Sequence, residues 1–350
     1  MKILILGGGI TGLSSAWYIS KKYPKAQITL LEKTNRLGGW IQTSREGGFL
    51  FEKGPRTFML GKCPHLLDLM NELELNVITA APQSRYILHK GALRPVQSFL
   101  PMLLPYLIFQ PFMAPAKENE SIYDFAKRRF SKKIAETLFD PLTLGIYAGD
   151  IRKLSMRACF PHFSFKKSKG LFTVQEGMDT LVKELQKRLP VDFVFNSEVD
   201  FIEENRVSAN GKIWDADLVI STLPPTHIPK KSLWVVNVAY SSDVLSKKGF
   251  GYLVPSKEKE SLLGVIFDSS IFPEQNKQGQ TRLTAMVRAE EKEPLKAVLS
   301  ALDRHLHIKD EPSFSSSFLA IDAIPQFEVG CQDPFGISVE ACVKRGKNFK

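Results

Sequence analysis

The chain opens on an apolar run that ends in glycine. Residues 3–6 are Ile-Leu-Ile-Leu, and glycines follow at positions 7–9. A short unbroken apolar run predicts a strand that is buried on both faces of a parallel sheet. We expect a helix from Leu13 to Ser20, and a second apolar run, residues 28–31, ends at Glu32. The order of strand, glycine turn, helix and strand predicts a βαβ unit.

Three of the early glycines have the spacing G-x-G-x-x-G. Gly7 permits a tight turn, Gly9 lets a pyrophosphate approach the backbone, and Gly12 lets the helix pack close to its strand. Free amides and the positive end of the helix dipole favour phosphate at that point. Glu32 lies twenty positions after Gly12 and is expected to accept hydrogen bonds from ribose hydroxyls. Strand, helix and carboxylate together predict a dinucleotide site, which the glycines alone would indicate only weakly.

The later pattern switches between helical spacing and strands. Apolar residues at helical spacing predict a helix from Ser121 to Leu138, with Ser121 as its N-cap. Residues 233–324 are mostly β, with one helix at 291–305. We therefore predict an α/β fold of three parts. They are a discontinuous Rossmann-like nucleotide-binding domain (1–80, 169–224 and 325–350), a β-rich substrate-binding domain (81–111 and 225–324) and a small inserted helical subdomain (112–168).

Residues 99–116 form a long apolar segment that contains four prolines. Prolines at this spacing would break a membrane-spanning helix repeatedly, so we do not expect one. Two explanations remain open. Short apolar helices could enter one leaflet of a membrane beside the basic residues 127–133, or the segment could form the apolar wall of a tunnel or of a partner interface.

Charge and cysteine content narrow the functional class. The chain has 47 basic and 37 acidic residues and a net charge of +10, which favours anionic partners. Its basic clusters belong to no recognisable nucleic-acid module, so we expect no nucleic-acid partner. Four cysteines without a C-x-x-C pair indicate buried thiols in a reducing compartment, and no metal site is predicted. Met1 leads directly into the first strand, so a cytoplasmic protein is expected.

The residues after Glu32 resemble a flavoprotein family. This family includes monoamine oxidases, phytoene desaturases and protoporphyrinogen oxidases, and the resemblance lies in residues 32–43, 49–56, 171–199 and 216–225. It implies FAD as the cofactor and a contact between adenine and the backbone of Val199. The resemblance further implies that FAD is lined by Arg36, Gly38, Gly39, Gly54 and Pro55.

Several further segments, in the same order along the chain, resemble the protoporphyrinogen oxidase branch of that family. They are residues 84–95, 145–161, 249–255, 263–273 and 323–327. The resemblance implies that Arg85 pairs with a substrate propionate and that Gly149 lies in the pocket wall. It also makes Phe267 and Phe272 candidates for stacking on pyrrole rings, although either could simply be a core residue.

The reaction that this resemblance implies is a six-electron oxidation of a porphyrinogen in three flavin-dependent steps. Molecular oxygen would reoxidise the flavin, and hydrogen peroxide would be released. No side chain stands out as a catalytic acid or base. Coproporphyrinogen is an alternative substrate, because additional propionates would suit the basic surplus. An amine oxidase or carotenoid desaturase is disfavoured by the segments between Arg85 and Phe272.

The chain departs from the family near its C-terminal end. Residues 325–334 run almost directly into residues 335–342, where the family has a further helix and strand. Gly336 and Val339 match the terminal flavin-binding helix, but a strand of the nucleotide sheet is expected to be lost. A flavin-poor remnant that binds a membrane or a partner is therefore the non-enzyme alternative. The resemblance leaves open a peripheral contact with the inner face of the membrane, contact with a downstream ferrochelatase, and a homodimer.

Overall fold

A computed structural model describes residues 1–81, 83–107, 115–161, 169–331 and 338–348. In these ranges the helices are α1 (Ile10–Lys22), α2 (Pro64–Glu72), α3 (Leu100–Leu107), α4 (Ile122–Arg129), α5 (Lys132–Ile134), α6 (Asp140–Tyr147), α7 (Met156–Cys159), α8 (Asp179–Arg188), α9 (Asp268–Ile271), α10 (Pro294–Leu306) and α11 (Val339–Asn348). The strands are β1 (Lys2–Leu6), β2 (Gln27–Leu31), β3 (Thr43–Glu46), β4 (Phe49–Glu52), β5 (Phe58–Met59), β6 (Val77–Ala80), β7 (Arg85–His89), β8 (Ala92–Pro95), β9 (Leu171–Val174), β10 (Asp192–Val194), β11 (Val199–Glu203), β12 (Arg206–Ala209), β13 (Lys212–Asp215), β14 (Leu218–Ser221), β15 (Lys230–Tyr240), β16 (Gly251–Leu253), β17 (Leu262–Ile266), β18 (Thr281–Arg288) and β19 (Phe314–Pro325).

The opening apolar run lies at the centre of a parallel sheet. The strand order is β10-β2-β1-β14, and residues 3–6 of β1 are at most 2% exposed. Ile3 and Ile5 face a core that includes α1, whereas Leu4 and Leu6 face the antiparallel sheet β11-β12-β13. The side chains of a strand alternate between faces, so an unbroken apolar run serves both layers. The predicted α/β fold, with its Rossmann-like βαβ start, is confirmed.

Strand β14 is the last strand on its side of the parallel sheet within the described residues. Residues 332–337, including Gly336, lie outside the described ranges. The expected loss of a strand from this sheet therefore stays a prediction. The outer position of β14 is compatible with it.

Segments far apart in sequence form a second, seven-stranded sheet. Its order is β19-β15-β18-β17-β16-β7-β8, so the early hairpin β7–β8 joins strands from the second half of the chain. Helix α10 covers one face, where Val298 and Leu302 share a core with Val236 of β15. On the other face, β4 of the nucleotide part packs Phe51 against Ala239. The proposed domain boundaries are compatible with this grouping and stay a prediction.

The helical insertion is less regular than its apolar spacing predicts. Ser121 caps α4, and its hydroxyl accepts a hydrogen bond from the backbone NH of Asp124 at 3.0 Å, as predicted. The prediction of one helix to Leu138 is wrong, because α4 ends at Arg129 and Ser131 caps a new turn by accepting from the NH of Ile134 at 3.3 Å. A π-helical turn over Ala135–Phe139 follows. The apolar residues nevertheless keep a helical spacing in the sequence, because Phe130 and Ile134, on the two sides of the break, pack into the same core.

Only part of the apolar segment 99–116 is described. Leu100 and Leu104 of α3 are exposed by 47% and 56%, and residues 108–114 lie outside the described ranges. Among the described helices, none has the length and apolar character that crossing a bilayer requires. The membrane and tunnel explanations of the segment both stay predictions.

The cysteines differ in burial. Cys159 is buried, but Cys63, Cys331 and Cys342 are partly exposed. The expectation of four buried thiols is therefore wrong for three of them, because each of the three lies at the edge of a core.

Candidate functional site

The loop between β1 and α1 has the geometry of an anion cradle. Gly7 adopts a positive φ of 99°, and a Cβ on Gly12 would lie 1.9 Å from the carbonyl oxygen of Gly7. Helix α1 therefore approaches its strand more closely than any side chain would allow. A Cβ on Gly9, in contrast, would meet no atom within 4 Å. The space beside Gly9 is thus open to a ligand.

The N-terminus of α1 faces this space without a side-chain cap. Gly9 is the N-cap residue, and within the described ranges no side-chain capping hydrogen bond is made to the first turn. The first amides of a helix need acceptors, and together with the helix dipole they favour an anion. Open space beside uncapped amides fits the pyrophosphate of a dinucleotide.

Glu32 is buried at the end of β2 and organises the next loop. Its Oε2 accepts from the NH of Gly8 at 2.7 Å, and its Oε1 accepts from the NH and the hydroxyl of Thr34 at 2.9 and 2.8 Å. A carboxylate can accept about four hydrogen bonds, so capacity for one more remains. The NH of Ser197 donates to the carbonyl of Glu32, which places the chain just before Val199 beside the same loop. The contacts of Glu32 with ribose and of Val199 with adenine stay predictions.

A second glycine loop lies directly against the first. The NH of Gly38 donates to the carbonyl of Gly8 at 2.8 Å, and a Cβ on Gly39 would lie 3.3 Å from Cα of Gly9. Arg36 holds this loop by donating to the carbonyl of Gly39 at 2.7 Å. The predicted glycines of the two loops are therefore brought together, and Arg36 lies at their edge.

The turn Gly54–Pro55 packs on the second glycine loop. A Cβ on Gly54 would lie 1.8 Å from the carbonyl oxygen of Trp40, so only glycine fits there. The next residue, Arg56, is 9% exposed, donates to the carbonyl of Glu52 at 2.9 Å and pairs with Asp268 at 3.3 Å. Asp268 is also hydrogen-bonded by Thr284 at 2.7 Å. This chain of contacts fixes the turn against the seven-stranded sheet.

Arg56, Asp268 and Trp40 are absent from the predicted site residues. Arg56 follows Gly54–Pro55 directly, so its place in the motif could have indicated that it belongs to the site. Asp268 gave no signal, because 212 positions separate it from its partner. Trp40 follows the glycine pair, and its side chain is 49% exposed next to both loops.

The last described helix closes this region. Val339, the first residue of α11, is buried in the core that contains α1. Burial also raises the pKa of the Cys342 thiol, and neighbouring Thr11, in the first turn of α1, partly offsets this rise. Helix α11 therefore begins beside the glycine loop. Its predicted contact with FAD through Val339 stays a prediction, and that of Gly336 lies outside the described residues.

A cleft of about 220 Å³ lies in front of Arg85, at the start of β7. It is lined by Gln83, Arg85, Val96, Gln97, Leu100, Leu103 and Leu171. Solvent reaches the guanidinium, but the surrounding apolar walls desolvate it and lower the pKa of Arg85. Among the described residues, no carboxylate lies within ion-pair distance of Arg85, and its recorded neighbour is the ring of Phe250 at 5.1 Å. The cleft thus presents a cation that lacks an anionic partner beside apolar surface.

The other predicted substrate residues do not line this cleft. A Cβ on Gly149 would lie 2.5 Å from Oε1 of Gln326 and from Leu154, within the packing of the helical insertion. Phe267 is fully buried in the sheet core beside Tyr252, and Phe272 is 3% exposed and packs with Leu171 behind the cleft wall. In this structure both phenylalanines have core positions, and their contact with substrate stays a prediction.

Glu52, just before the Gly54–Pro55 turn, is hydrogen-bonded at the start of α8. Its buried carboxyl group is expected to make the folding stability depend on pH. Burial raises its pKa to about 7, although hydrogen bonds from the NH of Met178 and from Thr43 favour the charged form. A carboxyl whose pKa is higher in the folded state stabilises the fold below the unfolded pKa, and this contribution is lost as the pH rises through about 7. Glu52→Gln is therefore expected to stabilise the FAD-free protein by on the order of 2–3 kcal/mol above pH 8, with no gain near pH 4.

Urea unfolding at several pH values measures this difference, and Glu46→Gln, on the exposed part of the same hairpin, controls for the loss of one negative charge. A stabilisation that grows as the pH falls would contradict the assignment to Glu52.

The family of flavin containing amine oxidoreductases matches residues 10–317. Protoporphyrinogen oxidase of Schizosaccharomyces pombe is 28% identical over 95% of this chain and 90% of its own length. Coproporphyrinogen III oxidase of Bacillus subtilis is 27% identical over 94% of this chain and 88% of its own length. The first alignment spans 439 positions, more than the 350 residues of the chain, so that relative has residues without a counterpart here.

Solved structures show the same fold. A candidate protoporphyrinogen oxidase from Exiguobacterium sp. 255-15 superposes with a TM-score of 0.82 at 22% identity, over 99% of this chain and 97% of that one. A putrescine oxidase bound to putrescine superposes with a TM-score of 0.74 at 16% identity, over 99% and 98% of the two chains. The flavin cofactor of this family therefore agrees with the anion cradle between β1 and α1, which suits a dinucleotide. The chain belongs to the family of flavin-containing amine oxidoreductases and is an oxidoreductase whose cofactor is FAD.

Proposed function

We propose that the protein oxidises protoporphyrinogen IX to protoporphyrin IX, with molecular oxygen as the acceptor and hydrogen peroxide as the second product. The observation that carries this proposal is the cation of Arg85, which has no anionic partner in the described part of the chain and stands beside apolar cleft walls. A porphyrinogen combines a large apolar macrocycle with propionate groups, so it needs both features at one place. The resemblance of segments along nearly the whole chain and the names of the relatives support the same substrate class.

The chain's residues divide into those that hold the cofactor and those that hold the substrate. The amides at the start of α1 would bind the pyrophosphate beside Gly9, and Glu32 would accept from ribose. The loops around Gly39 and Gly54 would border the flavin, which supplies acceptance of hydride when it is bound. Arg85 would orient the substrate through one propionate, because a guanidinium matches a carboxylate in shape and charge.

The described cleft accounts for one edge of the substrate. Its volume of about 220 Å³ is below the roughly 300–1,000 Å³ that is usual for ligand pockets, so it suits the propionate end of a macrocycle. Gly149, Phe267 and Phe272 are proposed to support the remainder of the site from behind its walls. No catalytic acid or base is assigned to this chain.

Coproporphyrinogen III is the second candidate substrate. The relative from Bacillus subtilis carries this name, and a net charge of +10 favours the substrate with more carboxylates. The two substrates differ in the number of propionates that the protein must accommodate. A direct comparison of their specificity constants therefore distinguishes the two activities.

The cellular context is a further part of the proposal. We place the protein in the cytoplasm, with a peripheral contact on the inner face of the membrane through the segment that contains Leu100 and Leu104. A ferrochelatase that receives the porphyrin is a proposed partner, and a homodimer is a proposed assembly. Flotation with anionic vesicles, compared between the wild type and a Leu100→Ser, Leu104→Ser variant, tests the membrane contact; equal flotation would contradict it.

Aerobic assays of the FAD-loaded protein test the proposed function. Each porphyrinogen is added separately, and porphyrin fluorescence is followed against the rate of autoxidation without protein. We expect protoporphyrinogen to give the higher kcat/KM and one hydrogen peroxide for each two electrons removed. A higher kcat/KM for coproporphyrinogen would select the second candidate, and autoxidation rates with both substrates would reject porphyrinogen oxidation.

A further inference from the structure

Glu340, the second residue of α11, reaches across to the start of α2. Its Oε1 accepts from the NH of His65 at 3.2 Å and contacts Nδ1 of the same residue at 2.6 Å. Its Oε2 accepts from the NH of Leu66 at 2.8 Å. The Glu340 side chain is only 14% exposed, so these contacts are largely shielded from water.

The carboxylate supplies the cap that α2 lacks locally. The N-cap residue of α2 is Cys63, and its side chain accepts no hydrogen bond from the helix. Two backbone amides of the first turn, those of His65 and Leu66, instead donate to Glu340, which lies about 275 positions away in sequence. A carboxylate at a helix N-terminus is stabilised by these amides and by the helix dipole. The contact therefore favours one position of α11 relative to α2.

The opposite side of α11 lies on α1. A Cβ on Gly346 would lie 2.3 Å from Oγ of Ser14, so glycine permits close packing of the two helices. Cys342 packs against the core that contains α1 and lies next to Thr11, the second residue of α1. Thr11 lies two positions after Gly9, at the loop where the pyrophosphate is expected. A shift of α11 would therefore be transmitted to the cofactor loop.

We infer that Glu340 is a positioning residue that anchors α11 against α2 and thereby sets the affinity of the glycine loop for FAD. This role is independent of which substrate is oxidised. Glu340 touches neither FAD nor substrate in the proposed site.

The test uses the full chain with Glu340→Ala and Glu340→Gln, and Lys344→Ala as a matched control on the exposed side of the same helix. Hydrogen exchange of residues 339–348 is measured without FAD, and FAD affinity is measured by fluorescence titration. Loss of a carboxylate that accepts from two amides is expected to speed exchange in α11 and to weaken FAD binding about tenfold or more. Glu340→Gln keeps one acceptor oxygen and should fall between the wild type and Glu340→Ala.

Two results would overturn the inference. Unchanged exchange in Glu340→Ala would show that Glu340 does not anchor α11, and faster exchange with unchanged FAD affinity would show that the anchored helix does not act on the cofactor loop. A failure of porphyrinogen oxidation would leave both readouts intact, because neither uses substrate. The inference and the proposed function can therefore fail separately.

Discussion

Gly9→Ala is expected to weaken FAD binding by about ten- to hundredfold while the protein without FAD keeps the stability of the wild type. A Cβ at this position meets no protein atom within 4 Å, and the backbone there, with φ −70° and ψ 177°, is allowed for alanine. The methyl group would instead occupy the space in front of the uncapped amides of α1. Only a ligand that approaches this backbone closely would be displaced.

Gly12→Ala provides the contrast. Its Cβ would lie 1.9 Å from the carbonyl oxygen of Gly7, so the helix must move away from its strand. We expect a loss of folding stability of about 1–3 kcal/mol without FAD, in addition to weaker FAD binding. Urea unfolding of the FAD-free proteins and FAD titration measure the two effects separately. Wild-type FAD affinity in Gly9→Ala would contradict the placement of the pyrophosphate.

Arg85→Ala is expected to lower kcat/KM for the porphyrinogen by about 10- to 150-fold, mainly through a higher KM. The guanidinium lies beside apolar walls that lower its pKa, and no described carboxylate pairs with it. A substrate carboxylate would therefore gain a charge-assisted hydrogen bond that no internal partner competes for. The flavin spectrum and FAD affinity should be unchanged, because Arg85 lies outside the glycine loops.

Two controls separate this role from a general effect of charge. Arg94→Ala removes an exposed arginine from the neighbouring strand β8 and should leave KM unchanged. Arg85→Lys keeps the charge but loses the planar fork, and should give an intermediate KM. If the propionates are esterified, the wild type and Arg85→Ala should have the same KM. A wild-type KM for the free acid in Arg85→Ala would remove Arg85 from the substrate site.

The nucleotide half of the site was predictable because its signal is local. The apolar run of β1, the glycines and Glu32 lie within about thirty consecutive residues, and the spacing of a βαβ unit restricts their arrangement. The sequence also indicated the turn at Gly54 through its resemblance to a known family. The fold class followed from these elements together with the later strands.

The tertiary partners of these residues were not predictable in the same way. Glu32 was expected to serve ribose, yet its contacts to Gly8 and Thr34 show that it also organises the protein's own loop. The pair of Arg56 with Asp268 and the contact of Glu340 with α2 join residues more than 200 positions apart. Such pairs depend on packing between distant elements, for which a single sequence carries no spacing rule.

Side-chain type alone also could not separate core from site. Phe267 and Phe272 suit a pyrrole ring and a hydrophobic core equally well, because aromatic burial stabilises both. The structure places both in cores, whereas Arg85 faces the cleft. The helix break at Phe130 could not be seen in the sequence for a related reason. Phe130 and Ile134 pack into one core although they lie on either side of the break, so their spacing is that of a continuous helix.

The most direct test of the account is to mix the FAD-loaded protein with protoporphyrinogen in the absence of oxygen and to follow the visible flavin band. We expect the band to bleach faster than in the Arg85→Ala control, because each flavin accepts two of the six electrons of the substrate, and to return when air is admitted. Porphyrin fluorescence should then develop faster than in a sample without protein, as oxygen reoxidises the flavin for the remaining steps. This result requires both a bound flavin and a productive substrate site. A flavin band that persists in the presence of protoporphyrinogen would contradict the proposal that this flavoenzyme oxidises that substrate.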